Sequence, residues 1–455
     1  MHSQAALPRR RQNGVSRVLV EVGIAALVVA LLAPALRPGL GPGALLALAA
    51  LVVLGAADAA AALIRRIRGT RKPRGRTPPQ AAGRIVTLAA VIVLLPAAVS
   101  YIGAITRPSN STLSIRSVEW VRDNGGRGLV SEVERIYYSM TAPSKGGPAL
   151  KHLDVAGVAS APTLSHPLRH RSAPAPTAPR PRPAYRPRDV RPVIHPALPG
   201  EGVWRVTQAR FTHEPSPPVL VTTYRPDPSY PRVVAGLTWI NHRRTRLALY
   251  TGLQEPPGAS GPHAVPASGL TKLLATFNSG FKHADSNGGF FSAGHLFEPL
   301  QPGQGTIVGT SNGRLDVRAW QGGSAPPSGI AFARQNLPLI VDHHRPNPNL
   351  SDGPQWGATL GNAILVWRSG VGVDRHGNLI YAAAPDQSVS SLAHMLMHAG
   401  AVRAVELDIN TAWVTLNSYA YTGARGASSL LPSMARPATR YLTPDDRDFF
   451  AVYLR

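Results

Sequence analysis

Three polar residues occupy alternate positions of the segment AVELDINTAW: Glu406, Asp408 and Asn410. In a strand this spacing puts them on one face, with Val405, Leu407 and Ile409 on the other. Two carboxylates so placed suit hydrolysis. One protonates a leaving oxygen, and the other activates water or attacks. Thr411 adds a hydroxyl beside Asn410. Two further stretches run from apolar segments into turn glycines and polar side chains. In FNSGFKH, Asn278, Ser279 and Gly280 follow LLATF, and Lys282 and His283 add positive charge. Small residues there let a substrate approach the backbone closely. In WRSGVGVD, Arg368 starts a strand beside Ser369 and Gly370. A guanidinium holds phosphate by two parallel hydrogen bonds. Carboxylates, a guanidinium and amides together suit cleavage of a bond to a phosphate or a sugar.

The elements around these residues are short. From Gly202 onward, VWRVTQARF, VLVTTYR, RVVAGLTWI and TRLALYTG alternate polar and apolar residues between turn residues, which predicts strands. SNGR and RHGN are hairpin turns, and FFAVYL makes a last strand. One helix is predicted from Ser388 to Ala399. Val389, Leu392, Leu396 and Ala399 keep helical spacing, and Gly400 ends it. Residues 201–455 therefore read as one α+β domain, mainly β with few helices.

The N-terminal half differs. Apolar runs at 18–36, 41–64 and 85–105 each approach the roughly 20 residues that cross a bilayer. They predict an α-helical membrane region of three spans over residues 1–105. Arg9, Arg10, Arg11 and Arg17 precede the first run, and eight Lys and Arg with no acid lie between Arg65 and Arg84. Positive loops stay in the cytoplasm, so the N-terminus is expected inside and the C-terminal domain outside an integral membrane protein. Residues 106–160 carry amphipathic stretches such as SEVERIYYSM and predict membrane-proximal helices. Residues 161–200, nearly all Pro, Arg, Ala and His, read as an extended linker.

The 455-residue chain has a net charge of +24 and no cysteine, which excludes disulfides, thiolate catalysis and Cys metal sites. Residues 1–200 hold 27 Lys and Arg against 8 Asp and Glu, leaving 21 against 16 for the rest. The charge thus lies in flanking loops and linker, with no aromatic-interleaved basic face, so nucleic acid is not an expected partner. His343 and His344 are adjacent, and His394 and His398 are four apart. Met395, Leu396 and Met397 separate the latter pair, so the general-base Glu of a zinc protease is missing. Aspartates such as Asp408 leave a divalent cation open as a cofactor.

The ordered set FNSGF, RSGVGVDRHGNLIYAA and HAGAVRAVELDINTAW resembles the phosphodiester glycosidase family over residues 205–455. The resemblance implies that Asn278, Arg368 and Asp408 face a pocket whose wall Gly280 shapes. Ser279 stands where the family has glycine, and Ile409, Asn410, Thr411 and Ala412 stand where it has a glycine run and a serine. Asn410 and Thr411 supply side-chain donors there instead. The expectation is a membrane-anchored, outward-facing hydrolase of a glycosyl phosphodiester in a cell-envelope glycan. Asp408, Glu406 and Arg368 are its expected catalytic residues. Asn278, Ser279, Gly280, Lys282, Ser369, Gly370, Asn410 and Thr411 are its expected substrate contacts. The alternative is a non-catalytic glycan- or phosphate-binding domain on the same fold.

Overall fold

The computed structural model describes residues 95–147, 150–153, 185–357 and 365–455. The chain divides into two compact units, residues 1–108 with 112–133 and residues 109–111 with 134–455. In the first unit, residues 95–106 and Leu113–Val121 are helical. Thr112 caps the second helix by accepting from the Ile115 amide. The Tyr101 and Trp120 rings meet edge to face at 5.2 Å.

The second unit is built of antiparallel strands, because its apolar residues fall in short runs between turns. Its largest sheet has eight strands. At its centre Val366–Asp374 lies between Leu379–Gln387 and Ala401–Glu406. Val366–Asp374 is buried along its whole length, so it packs on both faces. Close neighbours crowd two of its glycine positions. A Cβ on Gly370 would meet the Val405 carbonyl oxygen at 3.1 Å, and one on Gly372 would meet that of Arg403 at 2.6 Å. A five-stranded sheet contains Leu273–Asn278 between Leu416–Tyr421 and Phe449–Leu454. A further five-stranded sheet spans residues 290–335.

The main core lies where the three sheets meet. Val371 and Tyr381 of the first, Phe277 and Phe450 of the second, and Ile307 and Phe332 of the third share it. The other face of the large sheet is covered by the helix Val389–His398, through Leu392 and Leu396. Ser388 and Ser391 cap this helix reciprocally. Gly400, at φ 102°, follows it. Gly313 and Gly377 take positive φ in the SNGR and RHGN turns.

Residues 185–204 are fixed to the large sheet. Tyr185 donates to Asp374 Oδ2 at 3.2 Å, and the Trp204 indole donates to the Arg188 carbonyl. Arg225 and Glu201 form a fully buried ion pair at 2.8 Å.

The structure corrects the expected fold class. The described residues are mainly β, and among them no helix is long and apolar enough to cross a membrane. The runs at 18–36 and 41–64, and residues 85–94 of the third, lie outside the described residues. The described part of the third run, residues 95–106, is helical.

Gly372→Ala is expected to lower unfolding stability by about 1–3 kcal/mol in urea titration, because the added methyl meets backbone on the neighbouring strand.

Candidate active site

Three separate segments meet at the end of the central strands. Asn278 ends one of them, and both of its amide groups are saturated by protein. Its Oδ1 accepts from the Tyr381 hydroxyl at 2.9 Å and the Thr415 amide at 3.0 Å. Its Nδ2 donates to the Ser279 carbonyl at 2.9 Å and to Ser369 Oγ at 3.0 Å. Ser369 in turn donates to the Asp408 carbonyl at 2.7 Å. The Asp408 amide returns to the Ser279 carbonyl at 3.2 Å. Asn278, Ser279, Ser369 and Asp408 thus belong to one buried network, and Asn278 acts in it as a strut.

Arg368 and Glu406 stand on neighbouring strands, where Gly370 pairs with Glu406. They form an ion pair at 2.5 Å, and both side chains are 0% exposed. Arg368 also donates to the carbonyls of Gln387 and Trp356, each at 3.1 Å. Burial pushes the Glu406 carboxyl up to about 7, against the opposing pull of Arg368 and with a small push from Asp408. Arg368 Nη2, Glu406 Oε2 and Ser279 Oγ have no hydrogen-bond partner among the described residues. Buried polar atoms are rarely left so, and a half-satisfied ion pair marks a place for a ligand or water.

The Asp408 carboxylate is held through both of its oxygens. Its Oδ2 accepts from Arg447 Nη2 at 2.9 Å, and its Oδ1 from the Asn410 amide at 3.0 Å. Asn410 Oδ1 accepts from the Ala412 amide at 2.8 Å. The turn after Asp408 is therefore built by side chains, where glycines would leave backbone amides free. Thr411 Oγ1 lies 3.0 Å from the Tyr138 hydroxyl. Gly280 has no room for a side chain, since a Cβ would meet Asn336 at 2.9 Å. Asn336 Nδ2 donates to the Glu406 carbonyl at 2.5 Å, so Gly280 and Glu406 approach through it. Lys282 is buried, and its carbonyl caps the short helix His283–Ser286. Gly370 lets Leu396 close over the strand, where a Cβ would meet its Cδ1 at 3.0 Å.

Sequence reasoning missed a set of charged residues beside this network. Arg447 Nη2 donates to the Gly280 carbonyl at 3.0 Å as well as to Asp408. Arg440 pairs with Asp445 through two bonds, at 2.7 and 2.9 Å, and donates to the Trp413 carbonyl. Arg436, Arg440 and Arg447 lie 5.1–5.5 Å from the Trp413 ring centre. Burial pushes Asp445 up, but Arg440, its hydrogen bonds and Arg436 outweigh this and hold the carboxyl below its usual range. Burial, reinforced by Arg440, brings Arg436 down to about 10. Arg334 pairs with Asp448 at 2.8 Å. Burial raises Glu255, opposed by Arg447. The signal was present: DDRD, residues 445–448, packs four charges directly before the apolar strand FFAVYL.

Among the described residues no group of three or more His, Asp or Glu is placed to hold a metal ion.

No protein-family model and no curated protein sequence matches the chain. Solved structures similar to it include the catalytic domain of zebrafish N-acetylglucosamine-1-phosphodiester alpha-N-acetylglucosaminidase, auto-inhibited by its pro-peptide. That alignment has 15% identity and a TM-score of 0.38, and covers 53% of this chain and 85% of the other. A hypothetical protein from Synechocystis aligns at 13% identity with a TM-score of 0.34, over 53% of this chain and 63% of the other.

The raised Glu406 carboxyl has a consequence for pH. A carboxyl held at about 7, above its ordinary 4.5, favours folding below 4.5 and loses that contribution as pH rises to 7. Unfolding titrations across this window are expected to show a fall on the order of 3 kcal/mol, and Glu406→Gln removes that slope. Asp445→Asn is expected to cost about 3–5 kcal/mol at neutral pH, because it leaves Arg440 buried without its partner.

Proposed function

We propose that the second unit is a hydrolase that cleaves a glycosyl phosphodiester. The observation that carries this reading is the buried Arg368–Glu406 pair, in which one nitrogen and one oxygen have no partner among the described residues, beside Asp408. A phosphate oxygen completes the guanidinium, and a hydroxyl or leaving oxygen completes the carboxyl. Glu406, poised near neutral pH, protonates the departing oxygen as the glycosyl bond breaks. Asp408, paired with Arg447, takes the proton of the attacking water. Arg368 and Arg447 offset charge on the phosphate. Asn278 and Ser369 hold Asp408 in place and do not bind substrate in this scheme. The resemblance of FNSGF, RSGVGVD and AVELDI to the phosphodiester glycosidases supports the substrate class.

One observation favours the second reading, a glycan- or phosphate-binding domain without turnover. The Asp408 carboxylate is already engaged by Arg447 and by the Asn410 amide, which suits an anion that shapes the site more than a base that takes a proton. A methyl diester of N-acetylglucosamine 1-phosphate separates the two. The hydrolase reading expects release of free sugar, with kcat lowered at least about 100-fold in Glu406→Gln and in Asp408→Asn. Saturable binding of the diester with no sugar released by the unaltered protein would establish the binding reading instead.

A further inference from the structure

A cavity of about 600 Å³ opens beside the helix Val389–His398. None of the residues assigned above to catalysis lines it. Three imidazoles do: His344, His394 and His398. Each has one ring nitrogen on a backbone carbonyl. His344 Nδ1 meets the Ala401 carbonyl at 2.9 Å, His394 Nδ1 that of Ser390 at 2.7 Å, and His398 Nε2 that of Arg191 at 2.7 Å. A carbonyl only accepts, so each of these nitrogens carries the proton. The neutral rings then keep His344 Nε2, His394 Nε2 and His398 Nδ1 as acceptors.

The remaining lining narrows the ligand. No Lys or Arg lines the cavity, unlike the arginine-rich catalytic site, so an anion finds no fixed positive charge there. Asp227 lines it too; its Oδ1 accepts from the Ser229 amide at 2.7 Å, and its other oxygen adds a further acceptor to the wall. A single metal ion does not fit, since no three of the described His, Asp and Glu are placed to share one. Val193, Pro228 and Met397 supply apolar surface between the acceptors. The volume lies within the roughly 300–1,000 Å³ of small-molecule sites. Several separated acceptors on a partly apolar wall match a ligand with many hydroxyl donors and C–H faces.

We propose that this cavity is a binding site for an uncharged oligosaccharide, whose hydroxyls donate to the three imidazoles. The site is separate from the catalytic residues and does not depend on the hydrolase reading. The test is calorimetric titration of the full chain with chitotriose, cellotriose and mannotriose. At least one trisaccharide is expected to bind. His394→Leu weakens that binding about five- to tenfold, and the His394→Leu/His398→Leu pair weakens it further. Glu406→Gln leaves it unchanged. Both histidines are exposed on a helix, and circular dichroism verifies that the variants fold. The proposal is overturned if none of the three sugars binds, if the double variant binds as well as the unaltered protein, or if Glu406→Gln abolishes binding.

Discussion

Arg447 donates from one nitrogen to the Asp408 carboxylate and to the Gly280 carbonyl. That single guanidinium joins two of the three segments that make the site. It is one of several buried cations in the second unit, each matched to an acid: Arg225 with Glu201, Arg334 with Asp448, Arg368 with Glu406, and Arg440 with Asp445. Taking such charges out of water is costly unless each finds its partner in good geometry. The site therefore forms only when the strands and the 436–448 segment are all in register.

Neutral groups connect the same strands more gently. Tyr381, Asn278, Ser369 and Asp408 form a chain of hydrogen bonds that crosses from the large sheet to the sheet containing Leu273–Asn278. Every hydrogen-bonding group of the Asn278 amide is used. A side chain so occupied transmits position. Among the described residues Arg368 Nη2 and Glu406 Oε2 have no partner, while Arg368 Nε and Nη1 are bonded to Gln387, Trp356 and Glu406. Burial then raises Glu406 towards neutrality, which suits an acid catalyst.

Much of the domain was legible in the sequence. Alternation and turn glycines located the hairpins at SNGR and RHGN and the last strand FFAVYL. Helical spacing, a serine at the start and Gly400 at the end located Val389–His398. The three motifs do converge, and Glu406 lies beside Arg368. The N-terminal half was less tractable. The fold class expected from its apolar runs was corrected: the described residues are mainly β, and among them no helix is long and apolar enough to cross a membrane.

What the sequence alone determined were properties set by near neighbours: strand and helix periods, turn chemistry, and the carboxylates of AVELDI on alternate positions. Tertiary structure decided what depends on partners far along the chain. Asn278 becomes a strut because Tyr381, Ser369 and Thr415 saturate it, from 91 to 137 residues away. Arg447 joins the site from beyond any of the predicted motifs. Which polar residue is satisfied and which is left open follows from distances and burial, and those exist only once the strands are paired.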